Sequence, residues 1–89
     1  MSTEQTITKE TGGVKGQFET RDFYLACFLR CTGYELPKLR TEGPRKVFVF
    51  RDCPTRRNDV MTFFGEAASV RPLAFAATIK DMKGLLHNG

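Results

Sequence analysis

The first long apolar stretch begins at Phe23 and runs for seven residues without a polar break. Just before it, Thr20 and Asp22 both offer side-chain oxygens that can cap a helix N-terminus. Gly33 follows it and can adopt the left-handed conformation that ends many helices. These signals predict a helix over residues 21–32. Because its apolar surface extends most of the way round, we expect this helix to be packed between neighbouring elements.

Two strands joined by a tight turn are predicted in the middle of the chain, over residues 34–39 and 46–51. The second contains four consecutive β-branched and aromatic residues, which predicts apolar side chains on both faces of the strand. Gly43 and Pro44 between the strands favour a turn. Pro37 has no backbone N–H to donate, so the first strand is expected at an edge and the second inside the sheet.

Two further helices are predicted after the hairpin. The first spans residues 54–64, since Pro54 suits the first turn of a helix. Its predicted buried face consists of Val60, Met61, Phe63 and Phe64. The second spans residues 72–86, where apolar residues recur at spacings of four, three and four. These residues are Phe75, Ile79, Met82 and Leu86. Residues 67–70 between the helices are a short link or a brief third strand.

Together these elements predict one small α+β domain over residues 17–89. Its small antiparallel sheet is built on the 34–51 hairpin and is packed by the three helices. Residues 1–16 contain Ile7 and Val14 as their only sizeable apolar residues after Met1, which predicts a disordered polar tail. A chain of 89 residues suits a single domain, and it has no run of 18 apolar residues that would span a membrane.

Several short motifs lie between residues 18 and 87, within the predicted elements and at their ends. They are Tyr24-Leu25-Ala26 with Gly33, Val47-Phe48-Val49-Phe50 followed by Asp52 and Pro54, then Phe64-Gly65, and Val70-x-Pro72 before the last helix. In these motifs the chain resembles a family of short bacterial and phage-associated domains of unknown function. The motifs are folding signals. The resemblance therefore implies a self-contained domain and supplies no activity, cofactor or catalytic residue.

Residues suited to catalysis are few and scattered. The single histidine, His87, lies two residues before the last one, where a general base would be poorly held. Asp52 is expected to cap the second helix, and Asp59 and Asp81 are expected on exposed helix faces. This inventory predicts a protein that is not an enzyme and binds no cofactor.

The cysteines indicate a reducing compartment, and the first two, Cys27 and Cys31, suit buried thiols better than a disulfide framework. Cys27 lies inside the first apolar run, Cys31 lies four residues later in the same predicted helix, and Cys53 follows the second strand. Structural zinc sites usually use closely spaced CxxC pairs, and the chain has none, so no metal site is predicted. The polar N-terminal residues do not have the apolar centre of a secretory signal, which predicts a cytoplasmic location.

The basic residues carry the one functional indication. The formal net charge is +4, and half of the 14 Lys and Arg residues lie within twenty positions. They are Lys38, Arg40, Arg45, Lys46, Arg51, Arg56 and Arg57. Such side chains on a β-ribbon can contact phosphates, although they can equally keep an edge strand soluble. The aromatic residues close enough to stack on bases are Phe48, Phe50 and Tyr34, which more commonly pack in a core.

The doubly apolar inner strand supports a second interpretation. One pair of its side chains, either the valines or the phenylalanines, faces the helices, and the other pair needs a cover. That cover is the N-terminal segment around Phe18, a helix across the sheet, or a second copy of the chain. The sequence therefore leaves two binding functions open. One is contact with nucleic acid through the basic hairpin, and the other is protein–protein interaction or homodimerisation through an apolar sheet face.

Overall fold

The computed structural model describes residues 16–88 and shows a three-stranded antiparallel sheet packed by three helices. In chain order the elements are β1 Gln17–Thr20, α1 Phe23–Cys31, β2 Lys38–Glu42, β3 Arg45–Arg51, α2 Arg56–Phe64 and α3 Pro72–Asn88. This architecture confirms the predicted α+β class. The tail predicted for residues 1–16 lies outside the described residues, apart from Gly16.

The sheet has the strand order β1-β3-β2, with β3 in the centre as predicted. Phe18 of β1 pairs with Phe50, and Leu39 of β2 pairs with Phe48. The sequence pattern did not predict β1 as a strand. Its four residues include one large apolar side chain, so the segment has little strand signal of its own and is defined by its hydrogen bonds to β3.

The first strand of the hairpin lies later in the chain than predicted, at Lys38–Glu42 instead of residues 34–39. Tyr34 donates its backbone N–H to the Leu29 carbonyl at 3.0 Å, so it belongs to the end of α1. Gly43 has a φ of +58°, which allows a two-residue turn and lets the ladder continue to the Glu42–Arg45 pair. The predicted turn is therefore confirmed, whereas the predicted strand bounds were wrong.

The main core lies between the sheet and α1, and α1 contacts β1, α2 and α3. Its buried members are Phe18, Leu25, Ala26, Cys27, Phe28, Leu29, Tyr34, Phe48, Phe50 and Met82. Asp22 caps α1 by accepting a hydrogen bond from the Leu25 N–H at 2.9 Å, and Gly33 follows the helix with a φ of +108°. The prediction of a helix packed between neighbours is confirmed.

Helix α3 also follows the prediction, because its apolar residues pack against the core along one stripe. Helix α2 differs in two respects. It begins at Arg56, after Pro54, and only part of its predicted buried face is covered. The Phe63 ring packs on the Phe28 ring, with 5.4 Å between their centroids, whereas Met61 and Phe64 are 62% and 59% exposed. Its contacts with described elements are chiefly with α1, so one flank stays open.

Residues 67–70 form no strand and connect α2 to α3. None of the helices in the described part of the chain is both long and apolar enough to cross a membrane.

Candidate nucleic-acid interface

The strand register divides the predicted basic residues between the two faces of the sheet. Directly paired residues, and alternate residues along a strand, share a face. One face carries Val47 and Val49, and we call it the valine face. It also carries four of the predicted basic residues: Lys38, Arg40, Arg45 and Arg51. Lys46 shares the other face with Phe48, beside the turn. The remaining two, Arg56 and Arg57, lie on α2.

Arg40 is engaged in a structural ion pair. Its guanidinium donates to both carboxylate oxygens of Glu19, at 2.7 and 2.8 Å, and to Glu42 at 2.9 Å. Since Glu19 is on β1 and Arg40 on β2, the pair crosses β3 on the valine face. The hydrogen bonds that Arg40 donates to the Glu19 carboxylate, and then to that of Glu42, raise the pKa of Arg40. Glu19 is only 5% exposed, so Arg40 neutralises a carboxylate that is largely removed from water.

Arg56 lies in the interior, and it is only 7% exposed. Its Nε donates to Asp52 at 3.1 Å, and its guanidinium lies 4.7 Å from the centre of the Phe18 ring. Asp52 also accepts the Cys53 N–H at 2.9 Å, so this carboxylate anchors the strand-to-helix corner. Arg51 forms an exposed ion pair with Glu35 at 2.6 Å. The structure thus leaves Arg56 outside any exposed basic surface.

Two of the predicted residues, Arg45 and Lys46, line an open cleft at the turn end of the sheet, which we call the turn cleft. Its lining is Arg21, Phe23, Arg45, Lys46, Phe48 and Leu86, and its volume is about 380 Å³. The floor is apolar, and Arg21, Arg45 and Lys46 lie around it, with Arg45 and Lys46 on opposite faces of β3. Arg21 bonds Glu42, whose pKa is lowered by hydrogen bonds from Arg40 and then from Arg21.

Lys46 donates to the Thr41 hydroxyl at 3.1 Å. Arg45 is exposed and forms no ion pair with any residue that the structure describes. Lys38 lies at the far end of β2, about 14 Å from the turn at the rise of an antiparallel strand. Of the seven predicted residues, the fold therefore brings Arg45 and Lys46 together at one site and adds Arg21.

Arg21, Phe23 and Tyr24 were missed by the sequence reasoning. Tyr24 was assigned to a helix buried on nearly all sides, yet it is 56% exposed. Its ring packs edge-on against Phe23, with centroids 5.3 Å apart. The sequence offered one local signal for them: the predicted N-cap Asp22 is preceded by a basic residue and followed by two aromatic residues.

The aromatic residues that were considered for stacking on bases are buried instead. Phe48 is 2% exposed, Phe50 is 0% exposed and Tyr34 is 4% exposed. The Tyr34 hydroxyl donates to Asp59 at 2.7 Å, so Asp59 lies against the α1–β2 connection and not on a fully exposed helix face as predicted. Burial, and then this hydrogen bond, raise the pKa of Tyr34.

Potential metal ligands do not cluster within residues 16–88. No cluster of three or more His, Cys, Asp or Glu side chains in that range could hold a metal ion. Cys27 is buried as predicted, and burial raises the pKa of its thiol to about 11. A second cleft of about 610 Å³ lies between α1 and α3, and its charged lining residues are Arg30, Lys80 and Asp81.

Comparison with known proteins gives a family and no further relative. No curated protein and no solved structure matches the chain. A family model described as "Domain of unknown function (DUF5659)" matches residues 15–88, which include all of the described residues. This match agrees with the resemblance to a domain family of unknown function that the sequence motifs indicated. The chain therefore belongs to the DUF5659 family of domains of unknown function.

Proposed function

We propose that this domain is a non-enzymatic binding module that contacts the phosphates of nucleic acids at the turn cleft. The observation that carries the proposal is the convergence of Arg21, Arg45 and Lys46 on one open cleft. Flexible cations at the rim of an open surface can replace the counterions that surround nucleic-acid phosphates. Release of those counterions then supplies the free energy of binding.

The structure also narrows the set of contacting residues. Arg40 and Arg56 hold buried or half-buried carboxylates, so a phosphate would have to displace an existing partner. Arg45 has no such partner among the described residues, and it therefore loses little on meeting a phosphate. Glu42 beside the cleft is the one carboxylate with which Arg21 and Arg40 both pair. The net charge of Glu42 and the three cations that line the cleft is therefore positive.

The test is the double variant Arg45→Gln/Lys46→Gln, with Arg40 left in place to neutralise Glu19. The matched control is Arg71→Gln/Lys80→Gln, which removes the same charge from two exposed residues. Arg71 precedes α3, about 20 Å along the helix from Leu86 in the turn cleft. Lys80 lines the other cleft.

Binding is measured by fluorescence anisotropy with labelled DNA and RNA oligonucleotides over a salt series. We expect the Arg45/Lys46 variant to bind more weakly and to lose about 0.7–0.9 of the log–log salt slope for each phosphate contact removed. The control should bind like the parent protein, apart from a small general electrostatic effect. Absence of measurable binding by the parent to any of these nucleic acids at low salt would refute the proposal.

A protein-binding module is the second candidate, and one observation favours it. Met61 and Phe64 lie three residues apart on α2, which places them on one helix face, and both are more than half exposed. The apolar sheet face that suggested a homodimer is a weaker candidate for a protein interface, because Val47 and Val49 are only 2% and 0% exposed. Association through α2 would hold or strengthen in salt, in contrast to phosphate binding. Light scattering at low and high salt separates the two functions.

A further inference from the structure

We propose that the turn cleft and Tyr24 form a site for single-stranded nucleic acid, with an unpaired base stacked on the Tyr24 ring. This inference rests on the proposed function and names the class of nucleic acid that the same site takes. It assigns a role to Tyr24, an exposed aromatic residue that the packing of the domain leaves more than half open to solvent.

A continuous row of rings supports the stacking surface. The Tyr24 ring stands nearly perpendicular to Phe23, at 78° and 5.3 Å between centroids. Phe23 in turn lies 6.2 Å from Phe48, which is buried in the central strand. Because the lower rings are held by the core, the exposed ring is fixed from one side and loses little freedom when a base packs on it. More than half of Tyr24 is exposed to solvent.

The position of the cations fits a strand that continues past this ring. Phe23 contacts Tyr24 and also lines the turn cleft, where Arg21, Arg45 and Lys46 stand around an apolar floor. Arg21 is three residues before Tyr24 in the chain, directly before the N-cap of the same helix. Proteins that bind single strands combine exposed aromatic rings with a positively charged groove for the backbone. Here the two parts are linked through Phe23, which contacts the Tyr24 ring and lines the turn cleft.

A duplex is a poorer partner for this surface. Its bases are stacked on one another, so their faces are closed to a protein ring and only their edges are open in the grooves. An isolated base or nucleotide would use the ring but would leave part of the cationic rim without phosphates. The combination of an exposed ring and three cations therefore favours a single strand of several nucleotides over either alternative.

The experiment compares Tyr24→Ala, Tyr24→Phe and the parent protein with a labelled oligothymidylate and with a hairpin duplex of equal phosphate number. We expect Tyr24→Ala to bind the single strand about tenfold more weakly, with little change for the duplex. Tyr24→Phe keeps the ring and should bind like the parent. Phe64→Ala is the matched control, because it removes another exposed ring, on α2. Its affinity should equal that of the parent.

Tyrosine fluorescence provides a direct readout of stacking. The protein has no Trp and two Tyr, and Tyr34 is buried against Asp59. In the Tyr24→Phe variant only Tyr34 emits, so the difference from the parent reports Tyr24. We expect the oligothymidylate to quench this difference signal and the duplex to leave it unchanged. Melting curves of all variants show whether each one is folded.

The two proposals fail in different ways. If the parent binds nucleic acid and Arg45→Gln/Lys46→Gln weakens that binding, but Tyr24→Ala binds the single strand like the parent, the stacking role is refuted and the phosphate contacts stand. An equal loss on single strand and duplex for Tyr24→Ala also refutes stacking on an unpaired base. If the parent binds neither probe, both proposals fall.

Discussion

Arg56 and Arg57 are adjacent and chemically identical, yet the structure gives them opposite environments. Arg56 is buried between Asp52 and the Phe18 ring, whereas Arg57 is exposed. We predict that Arg56→Ala strongly destabilises the domain and that Arg57→Ala does not. The comparison is well controlled, because both changes remove the same side chain from the first turn of α2.

The size of the effect follows from three contacts. The hydrogen-bonded ion pair with Asp52, whose side chain is 28% exposed, is worth about 1 kcal/mol, between the values for open and fully buried pairs. The cation–π contact at 4.7 Å adds about 1 kcal/mol, and burial of the aliphatic stem adds about 2 kcal/mol.

Removal of the side chain also has one stabilising effect, which offsets part of this loss in the free energy of unfolding. The Nη1 atom of Arg56 is buried with no hydrogen-bond partner among the described residues, so its loss recovers about 1–2 kcal/mol of desolvation cost. The expected net loss is about 2–3 kcal/mol. For a domain of this size this corresponds to a fall in Tm of roughly 10–20 °C.

Thermal and urea unfolding followed by circular dichroism measure the loss. Arg57→Ala should stay within about 0.5 kcal/mol of the parent protein. A double-mutant cycle with Asp52→Asn isolates the pair, and we expect a coupling of about 1 kcal/mol. If Arg56→Ala unfolds within 0.5 kcal/mol of Arg57→Ala, the buried position and the three contacts assigned to Arg56 are wrong.

Three further predictions test other contacts. Glu19→Gln should lower Tm more than Glu42→Gln, because Glu19 is a largely buried carboxylate that Arg40 neutralises; equal values in melting curves would contradict this role. Gly43→Ala should cost about 1 kcal/mol in urea unfolding, because the φ of +58° strains a side chain, and no loss would mean that the turn differs. Cys27 should react with a thiol probe at pH 8 more slowly than Cys53, because burial raises its pKa to about 11. Since the usual value of 9.0 applies once the chain unfolds, stability should also decline from pH 9 toward 11, and less steeply in Cys27→Ala.

Local signals in the sequence determined the elements whose ends and buried faces are encoded by neighbouring residues. The cap at Asp22, the turn at Gly43, the apolar strand and the stripe ending at Leu86 each act within a few positions. Such signals act on the backbone of their own segment, so they can be recognised without knowledge of the rest of the chain. The α+β class and the central position of β3 followed from them.

Only the tertiary structure decided which side chains meet. Glu19 finds Arg40 because β1 and β2 flank the same strand, and the weak local signal of β1 concealed that partnership. The packing of α2 likewise buried one of two adjacent arginines, and the packing of α1 left Tyr24 exposed beside the turn cleft. The physical reason is that strand register and helix docking depend on residues far apart in the chain. Composition and local spacing are therefore the same for an arginine that holds the fold together and for one that stays exposed to solvent.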